Sequence, residues 1–489
     1  ASVTRQSFIL YLFMRLPWEY KDILRDWIDR RGLLLTLGGH NINLFLPPSE
    51  YFGANPEWFS LFNGKRVDKQ PCFSNKKGTD TMITKIVDYC RSEKLIDTIY
   101  LCPNDNHCIC KCPLCKDKGF ISTYIGFLER LKKKLISEGL AINILHIAYN
   151  AQLEWDMLDT IPDENSLDTL LACWGRDYAY DIGNPSNQCD TRFKRTMKRW
   201  ADACCNKYKT RLTIYEYYGD YWILTGLFPP LIKTLTKDIE FYKSLNIFEM
   251  TCLIVPFYLP MKVVYEKIRK KDLPQNANEY KFNSEGVILW ANLYVFERKT
   301  WDTGVNSEAA LEDYLSAFVG ERKEYAFKLV EKLEKNLAGL SGFNTKLFPL
   351  NFKLLWLRSS YTGNSSISGK GPPAIIDWDP ETDDIKIPKA RIETCRKILE
   401  KVSANKLEAK KFYKDKNDGR YKNMLDFVNY NNYIVKKIKS ICFQSTAQVN
   451  IIDHKTDEAV KNLTAALRIE KDINGWDRSS CEEWLKKLQ

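Results

Sequence analysis

Seven short apolar runs, each closed by a cluster of polar residues, constrain this chain more than any other feature. They are Ser7–Phe13, Leu33–Leu37, Thr98–Cys102, Ile142–Ala148, Leu167–Cys173, Arg211–Tyr215 and Asn246–Ile254. Runs of this length without polar alternation suit strands buried on both faces. Between several of them stand stretches with apolar residues at helical spacing: Lys21–Arg31, Thr81–Ser92, Thr123–Ile136, Thr191–Tyr208 and Leu231–Leu245. Strands alternating with helices predict a parallel sheet. A short eighth strand is placed in Gln70–Ser74, and eight units over about 250 residues point to a (β/α)8 TIM-like barrel. Past Glu285 the pattern turns helical, through Gly286–Glu297, Ser307–Phe318, Glu321–Leu337, Lys346–Leu357, Ala390–Tyr413, Gly419–Gln444, Lys455–Leu467 and Ser480–Leu488. The Gly/Ser-rich segment Tyr361–Gly371 reads as a loop. The reading is therefore an α/β chain, with a catalytic barrel over 1–300 and a mainly α-helical C-terminal domain over 301–489.

Composition narrows the class. With 489 residues, 44% hydrophobic and 28% charged, the chain has apolar surface enough for a large core and is not disordered. The net charge of +11 is weak ground for a nucleic-acid partner, because lysines alternate with acids. Lys401–Lys416, for example, also holds Glu408 and Asp415, as a solvated helix face would. No apolar run reaches the roughly 18 residues of a membrane span. Phe8–Met14 is too short for a signal peptide and runs into Arg15-Leu16-Pro17, so no signal peptide is expected in this chain.

Of 15 cysteines, seven lie between Cys72 and Cys115. The Cys112-x-x-Cys115 spacing, with Cys110 just before it, suits thiolates converging on one tetrahedral ion. A complete site needs a further ligand, and Cys108 lies too close to Cys110 for the usual pairing. A structural metal at Cys110, Cys112 and Cys115, disulfides, and free thiols are all open readings. No cofactor is required for catalysis in any of them.

The polar clusters follow the strands, where barrel active sites lie. They hold carboxylates (Asp105, Asp177, Glu216, Glu249), amides, imidazoles and aromatics. Two acids flanking a scissile glycosidic bond can act as acid, base or nucleophile, and Asp105 and Glu216 are the best placed. An acid at a strand end also commonly caps the next helix, which is the plainer alternative. His40 and Asn41 follow Gly38-Gly39, which allow close backbone approach. His146 falls mid-strand, as a core residue would, and His107 lies just past Asp105. Tyr149, Trp174, Tyr217, Tyr218 and Trp222 could stack on sugar rings, although aromatics are more often core. No phosphate-binding Gly-rich loop, GxSxG elbow or HExxH pair is present.

A series of elements in order carries a resemblance. It comprises Phe13–Trp18, Trp27–Leu33, Leu37-Gly-Gly-His-Asn41, Pro47-Pro48, Tyr51-Phe52, Asn55–Leu61 and Gly64-Lys-Arg66. Gln70, Ser74-Asn75, Pro103-Asn-Asp-Asn106 with Cys110-x-Cys112-x-x-Cys115, Ala148-Tyr149 and Tyr215-Glu-Tyr-Tyr218 continue it. Over roughly residues 8–330 the chain resembles a large bacterial domain family of formerly unknown function that includes glycoside hydrolase family 163. That family is distantly similar to glycoside hydrolase families 67 and 20.

The resemblance implies an endo-β-N-acetylglucosaminidase that cuts N-glycans on glycoproteins, secreted, periplasmic or on the cell surface. By analogy with family 20, whose acidic pair follows the fourth strand, Asp105 would be the general acid/base. Asn104 would orient the 2-acetamido group, whose oxygen replaces a protein nucleophile. Counting Gln70–Ser74 as strand three puts Asn104-Asp105 at that point. Asn104 stands where the family 20 pair has a second acid, so Glu216 is expected to supply it, with either acid as proton donor. Arg15 and Arg176 keep a uronic-acid substrate open, and a glycan-binding barrel without catalysis is the non-enzyme alternative. The acid pair predicts that Asp105→Asn or Glu216→Gln lowers turnover by orders of magnitude without unfolding the protein.

Overall fold

The computed structural model describes residues 7–10, 22, 25–26, 28–30, 32–40, 42–93, 96–106, 108–150, 156–186, 188–220, 224, 228–247, 249–255, 286–337, 385–409, 419–470 and 479–489. Its centre is a seven-stranded sheet of β1 (Ser7–Leu10), β2 (Leu34–Gly39), β5 (Ile96–Leu101), β6 (Asn143–Tyr149), β7 (Asp168–Ala172), β8 (Leu212–Asp220) and β9 (Glu249–Val255), side by side in that order. The pairings from β1 through β8 are parallel. All seven apolar runs thus contain a strand. β6 and β7 are buried at every residue after the first, which is why their sequences are continuously apolar rather than alternating.

The strand order identifies the architecture. Each connection advances one place in the same direction. Right-handed crossovers, the near-universal hand, then set all the helices on one face. A doubly wound sheet would instead reverse direction midway. Single winding leaves the other face to curl inward, as in a TIM-like barrel wall. The crossovers carry α1 (Lys76–Ser92), α2 (Pro113–Lys118), α3 (Phe120–Ser137), α4 (Gln188–Ala201) and α5 (Ile232–Ser244). In α1, Asn75 caps the helix by accepting from the Gly78 N–H at 2.9 Å, and Met82, Ile83, Ile86, Val87 and Cys90 form its buried stripe.

The expected eighth strand is a correction. β3 (Phe59–Phe62) and β4 (Lys65–Pro71) pair antiparallel as a separate hairpin. Gln70 belongs to β4 and not to the parallel sheet. The tight turn at Asn63-Gly64, with φ of 49° and 76°, folds the chain straight back, so the segment cannot join a parallel ladder. Consequently β5 is the third strand of the sheet, and Asp105 follows the third strand rather than the fourth.

The chain divides into two compact units interleaved in sequence. The first draws on Ala1–Trp174, Arg195–Tyr215 and Tyr242–Thr251, and the second on Gly175–Lys194, Glu216–Phe241 and Cys252–Gln489. The first has its core between the sheet and helices α1 and α3, with Leu35, Leu37, Ile99, Leu101, Tyr124, Leu128 and Leu131 fully buried. The second is mostly helical, adding α6 (Gly286–Trp301), α7 (Ser307–Val319), α8 (Lys323–Leu337), α9 (Lys386–Ala409), α10 (Gly419–Ile452), α11 (Thr456–Glu470) and α12 (Ser479–Leu488). Asn292 of α6 holds the segment leading into α5, accepting from the Leu231 N–H and donating to the Pro229 carbonyl, both at 2.9 Å. Lys346–Leu357 and Tyr361–Gly371 lie outside the described residues.

Candidate functional site

Within the first unit, the C-terminal ends of neighbouring strands bring polar and aromatic residues together. β2 ends in Gly38-Gly39, with φ of 146° and 124°. A Cβ on Gly38 would stand 1.6 Å from the Tyr100 carbonyl oxygen of β5, so only glycine lets the two strands approach here. His40 follows, half-buried. Its Nδ1 meets the Pro103 carbonyl oxygen at 2.6 Å, and since a carbonyl only accepts, Nδ1 is the donor in this contact. The His40 and Tyr149 rings lie 5.7 Å apart. Beyond Tyr149, the Asn150 side chain accepts from the Trp174 N–H (3.0 Å) and donates to its carbonyl (2.7 Å), joining the ends of β6 and β7.

The loop after β5 carries Asn104, Asp105 and Asn106. Gln70 of the hairpin clamps it: its Oε1 accepts from the Asn104 N–H at 2.8 Å, and its Nε2 donates to the Asn104 carbonyl at 3.1 Å. The side-chain amides of Asn104 and Asn106 both donate to the Lys69 carbonyl, at 2.8 and 2.9 Å. Asn104 is thereby oriented through its nitrogen, while Asp105 between the two is exposed. Sequence reasoning missed the clamp, because nothing local ties Gln70 to a loop 34 residues away.

Below this loop four cysteines converge. The sulfurs of Cys72, Cys110, Cys112 and Cys115 all lie within 4.8 Å of one another, and all four residues are buried. Cys72 had no place in the ligand set read from sequence. It arrives from the end of the hairpin, and only the register of β3 on β4 and the packing of the hairpin on the loop bring it there. The described cysteines are free thiols. Hydrogen bonds from Cys110 and Cys115 push the Cys72 thiol far down.

The second unit holds Glu216 in a buried network. Arg176, wholly buried, donates from Nη1 to Glu216 Oε1 at 2.9 Å and to Asp238 Oδ2 at 2.9 Å, and from Nη2 to Asp238 Oδ1 at 3.1 Å. The Tyr178 hydroxyl donates to Glu216 Oε2 at 2.6 Å, and the Tyr218 hydroxyl to Asp238 Oδ2 at 2.8 Å. Burial pushes the Asp238 carboxyl up to about 6, against the lowering pull of Arg176. Both Glu216 oxygens accept hydrogen bonds, and Tyr217 and Tyr218 beside it are buried. Arg176 is taken up by its two carboxylates, which removes its share of the uronate argument.

Other candidates separate clearly. Glu249 is the first residue of β9, at the N-terminal end, bonded to Thr213 at 3.0 Å and Arg211 at 3.5 Å. Its place in the run was visible, but strand direction puts it at the wrong end for a barrel site. Asp177 is buried beside Asp190, and desolvation pushes its carboxyl up to about 7. His146 is a core residue as expected, with Nε2 at 2.8 Å from the Thr169 hydroxyl and burial lowering it to about 4. Arg15, Asn41, His107 and Trp222 lie outside the described residues.

A family described as a domain of unknown function, DUF4838, matches residues 15–328, more than half of the chain. No curated protein matches. Among solved structures, the chain is similar to a GH138 enzyme targeting pectin rhamnogalacturonan II, at 12% identity and a TM-score of 0.48, over 96% of this chain and 56% of that one. It thus spans little more than half of that protein. It is similar to a mutant of the Thermobaculum terrenum O-GlcNAc hydrolase (11% identity, TM-score 0.42, 99% and 87% of the two chains). It is also similar to CpGH84B (10% identity, TM-score 0.36, 99% and 71%). Among the described residues no helix is long and apolar enough to cross a membrane.

Proposed function

The chain belongs to the DUF4838 family, and from the strand-end chemistry of its first unit we propose that it is a glycoside hydrolase acting on β-linked N-acetylglucosamine in glycans. One observation carries the reading. An exposed carboxyl, Asp105, stands beside an amide of fixed orientation, Asn104, on the loop after a parallel barrel strand, with His40 touching the same loop. Because Asn104 spends its nitrogen on Lys69, its Oδ1 is the atom that can accept an N–H from a substrate acetamide.

In this reading the acetamide oxygen of the substrate attacks the anomeric carbon as the glycosidic C–O bond breaks. Asp105 gives its proton to the leaving oxygen. Asp105, now a carboxylate, takes a proton from the water that opens the cyclic intermediate, so configuration is retained. Tyr149, whose ring lies against that of His40, and Trp174, both largely buried at the neighbouring strand ends, are the aromatic rings this reading assigns to the sugar. The donor role goes to Asp105 because it is exposed on the strand-end loop, whereas Glu216 is buried and held on both oxygens by Arg176 and Tyr178.

The most specific form is an endo-β-N-acetylglucosaminidase on N-glycans. The test is incubation with a complex N-glycoprotein and mass spectrometry of what is released. A glycan ending in one reducing N-acetylglucosamine is expected from the wild type and none from Asp105→Asn. Glycan binding without release would move the assignment to a non-catalytic barrel.

A further inference from the structure

We propose that Cys72, Cys110, Cys112 and Cys115 bind one zinc ion, which fastens the β3–β4 hairpin to the loop carrying Asp105. The proposal stands apart from the glycosidase reading. It rests on the spacing of four sulfurs drawn from two remote segments.

A zinc ion with four thiolates at about 2.3 Å in a tetrahedron holds its sulfurs about 3.8 Å apart. Cys72 Sγ lies 3.5 Å from that of Cys110, 3.8 Å from that of Cys112 and 3.9 Å from that of Cys115. These three are close to tetrahedron edges, and all four sulfurs lie within 4.8 Å of one another, near enough for one ion to draw together. A disulfide would bring two of the sulfurs to about 2.05 Å and leave the other two over. Four buried thiols are an ordinary apolar cluster only if nothing polar is aimed at them, and here polar donors are. The Leu61 N–H of β3 donates to Cys110 Sγ at 3.3 Å. The Ser74 hydroxyl lies 3.2 Å from Cys72 Sγ, 3.4 Å from Cys112 Sγ and 3.2 Å from Cys115 Sγ. Donors to sulfur, here the Leu61 N–H and the one hydrogen of the Ser74 hydroxyl, are what a thiolate set needs in order to spread its negative charge.

The chain arrangement agrees. Cys110, Cys112 and Cys115 sit on a tight turn entering α2, with Pro113 at its first helical position. Lys111 N–H bonds the Leu61 carbonyl at 2.8 Å, so the turn and β3 are already in register. All thiolate and no imidazole or carboxylate, the set is chemically suited to zinc and closed to solvent, which is the character of a structural rather than a catalytic site. The metal would fix the ends of the segment whose Gln70 and Lys69 hold Asn104 and Asn106.

The test uses the full chain. Protein incubated with Zn²⁺ under a thiol reductant and freed of excess metal is analysed by plasma mass spectrometry. One zinc per chain is expected, released as a mercurial titrates the thiols. Replacement by Co²⁺ should give the visible ligand-field bands of a tetrahedral tetrathiolate site. Cys72→Ser should lose the zinc, and Cys90→Ser, outside the cluster, should keep it. Since Cys72→Ser could fail to fold, Cys72→His is the second variant: retained metal with cobalt bands moved to higher energy supports a fourth ligand at this position. Wild-type protein with no zinc, in which peptide mapping finds Cys72, Cys110, Cys112 and Cys115 all alkylated, overturns the proposal. So does an intact mass lowered by two hydrogens per disulfide, stoichiometric iron in place of zinc, or cobalt bands unchanged by Cys72→His.

Discussion

Replacing Arg176 by Met removes the cation from the buried network and keeps most of the side-chain length. Glu216 and Asp238, 1% and 0% exposed, lose the guanidinium they share, while Tyr178, Tyr218 and the Ile182 N–H remain as donors. Removing one partner of a buried ion pair costs about 3–5 kcal/mol near neutral pH. The pH dependence tests the cause. Burial raises Asp238 from 3.8 to about 6 in the folded protein. Between those values the folded state holds a proton that the unfolded chain has released, so stability falls as pH rises. In the wild type the fall ends near pH 6, where Asp238 ionises against Arg176. Without Arg176 the carboxyl keeps its proton to higher pH, and stability goes on falling by about 1.4 kcal/mol per pH unit. The gap between wild type and variant should therefore widen by about 2 kcal/mol from pH 6 to pH 8. Urea denaturation followed by tryptophan fluorescence at pH 6, 7 and 8 measures it. A gap that stays constant with pH, or a cost below about 1 kcal/mol at pH 7, refutes the reasoning.

Other outcomes follow from the same geometry. Asp105→Asn should lower turnover by on the order of 100-fold or more with an unchanged melting temperature, because the side chain is exposed, and normal rates would discard the site. Glu216→Gln should instead cost about 2–4 kcal/mol of stability, since an amide nitrogen would face the Arg176 or Tyr178 donor, and an unaltered denaturation midpoint contradicts that. Buried His146, lowered from 6.5 to about 4, makes the wild type lose about 2 kcal/mol between pH 7 and pH 5 as the unfolded chain takes up a proton. His146→Gln, which cannot gain that proton, should lose less, and equal losses in urea titrations would be inconsistent with a neutral core imidazole. Gly38→Ala should destabilise by on the order of 3 kcal/mol or more, because its Cβ would overlap the Tyr100 carbonyl, and a melting point within error of wild type would exclude that close approach.

Much of the fold is legible in local pattern. The apolar runs mark seven strands because a strand buried on both faces needs no polar alternation, and the helical stretches show their stripe in Met82, Ile86 and Leu131. The segment Gln70–Ser74 holds too few apolar residues to show whether it pairs parallel or belongs to a hairpin that turns back at Asn63-Gly64. The candidate site was legible where chain neighbours make it, as in Asn104-Asp105-Asn106. It was not legible where partners are remote: Gln70 on Asn104, Cys72 among the later thiols, and Asp238 beside Glu216 across Arg176.

The sequence by itself determined which segments become strands and helices, that they alternate, and which residues cluster at the strand ends, since those depend on periodicity within a few turns of chain. Only the tertiary structure decided that Glu216 is bound on both oxygens, that Glu249 lies at the wrong end of its strand, and that a fourth sulfur joins the other three. Those facts depend on strand direction, register and the meeting of segments tens of residues apart. Short-range pattern carries no record of such a meeting, because the free energy that selects it comes from packing the whole chain.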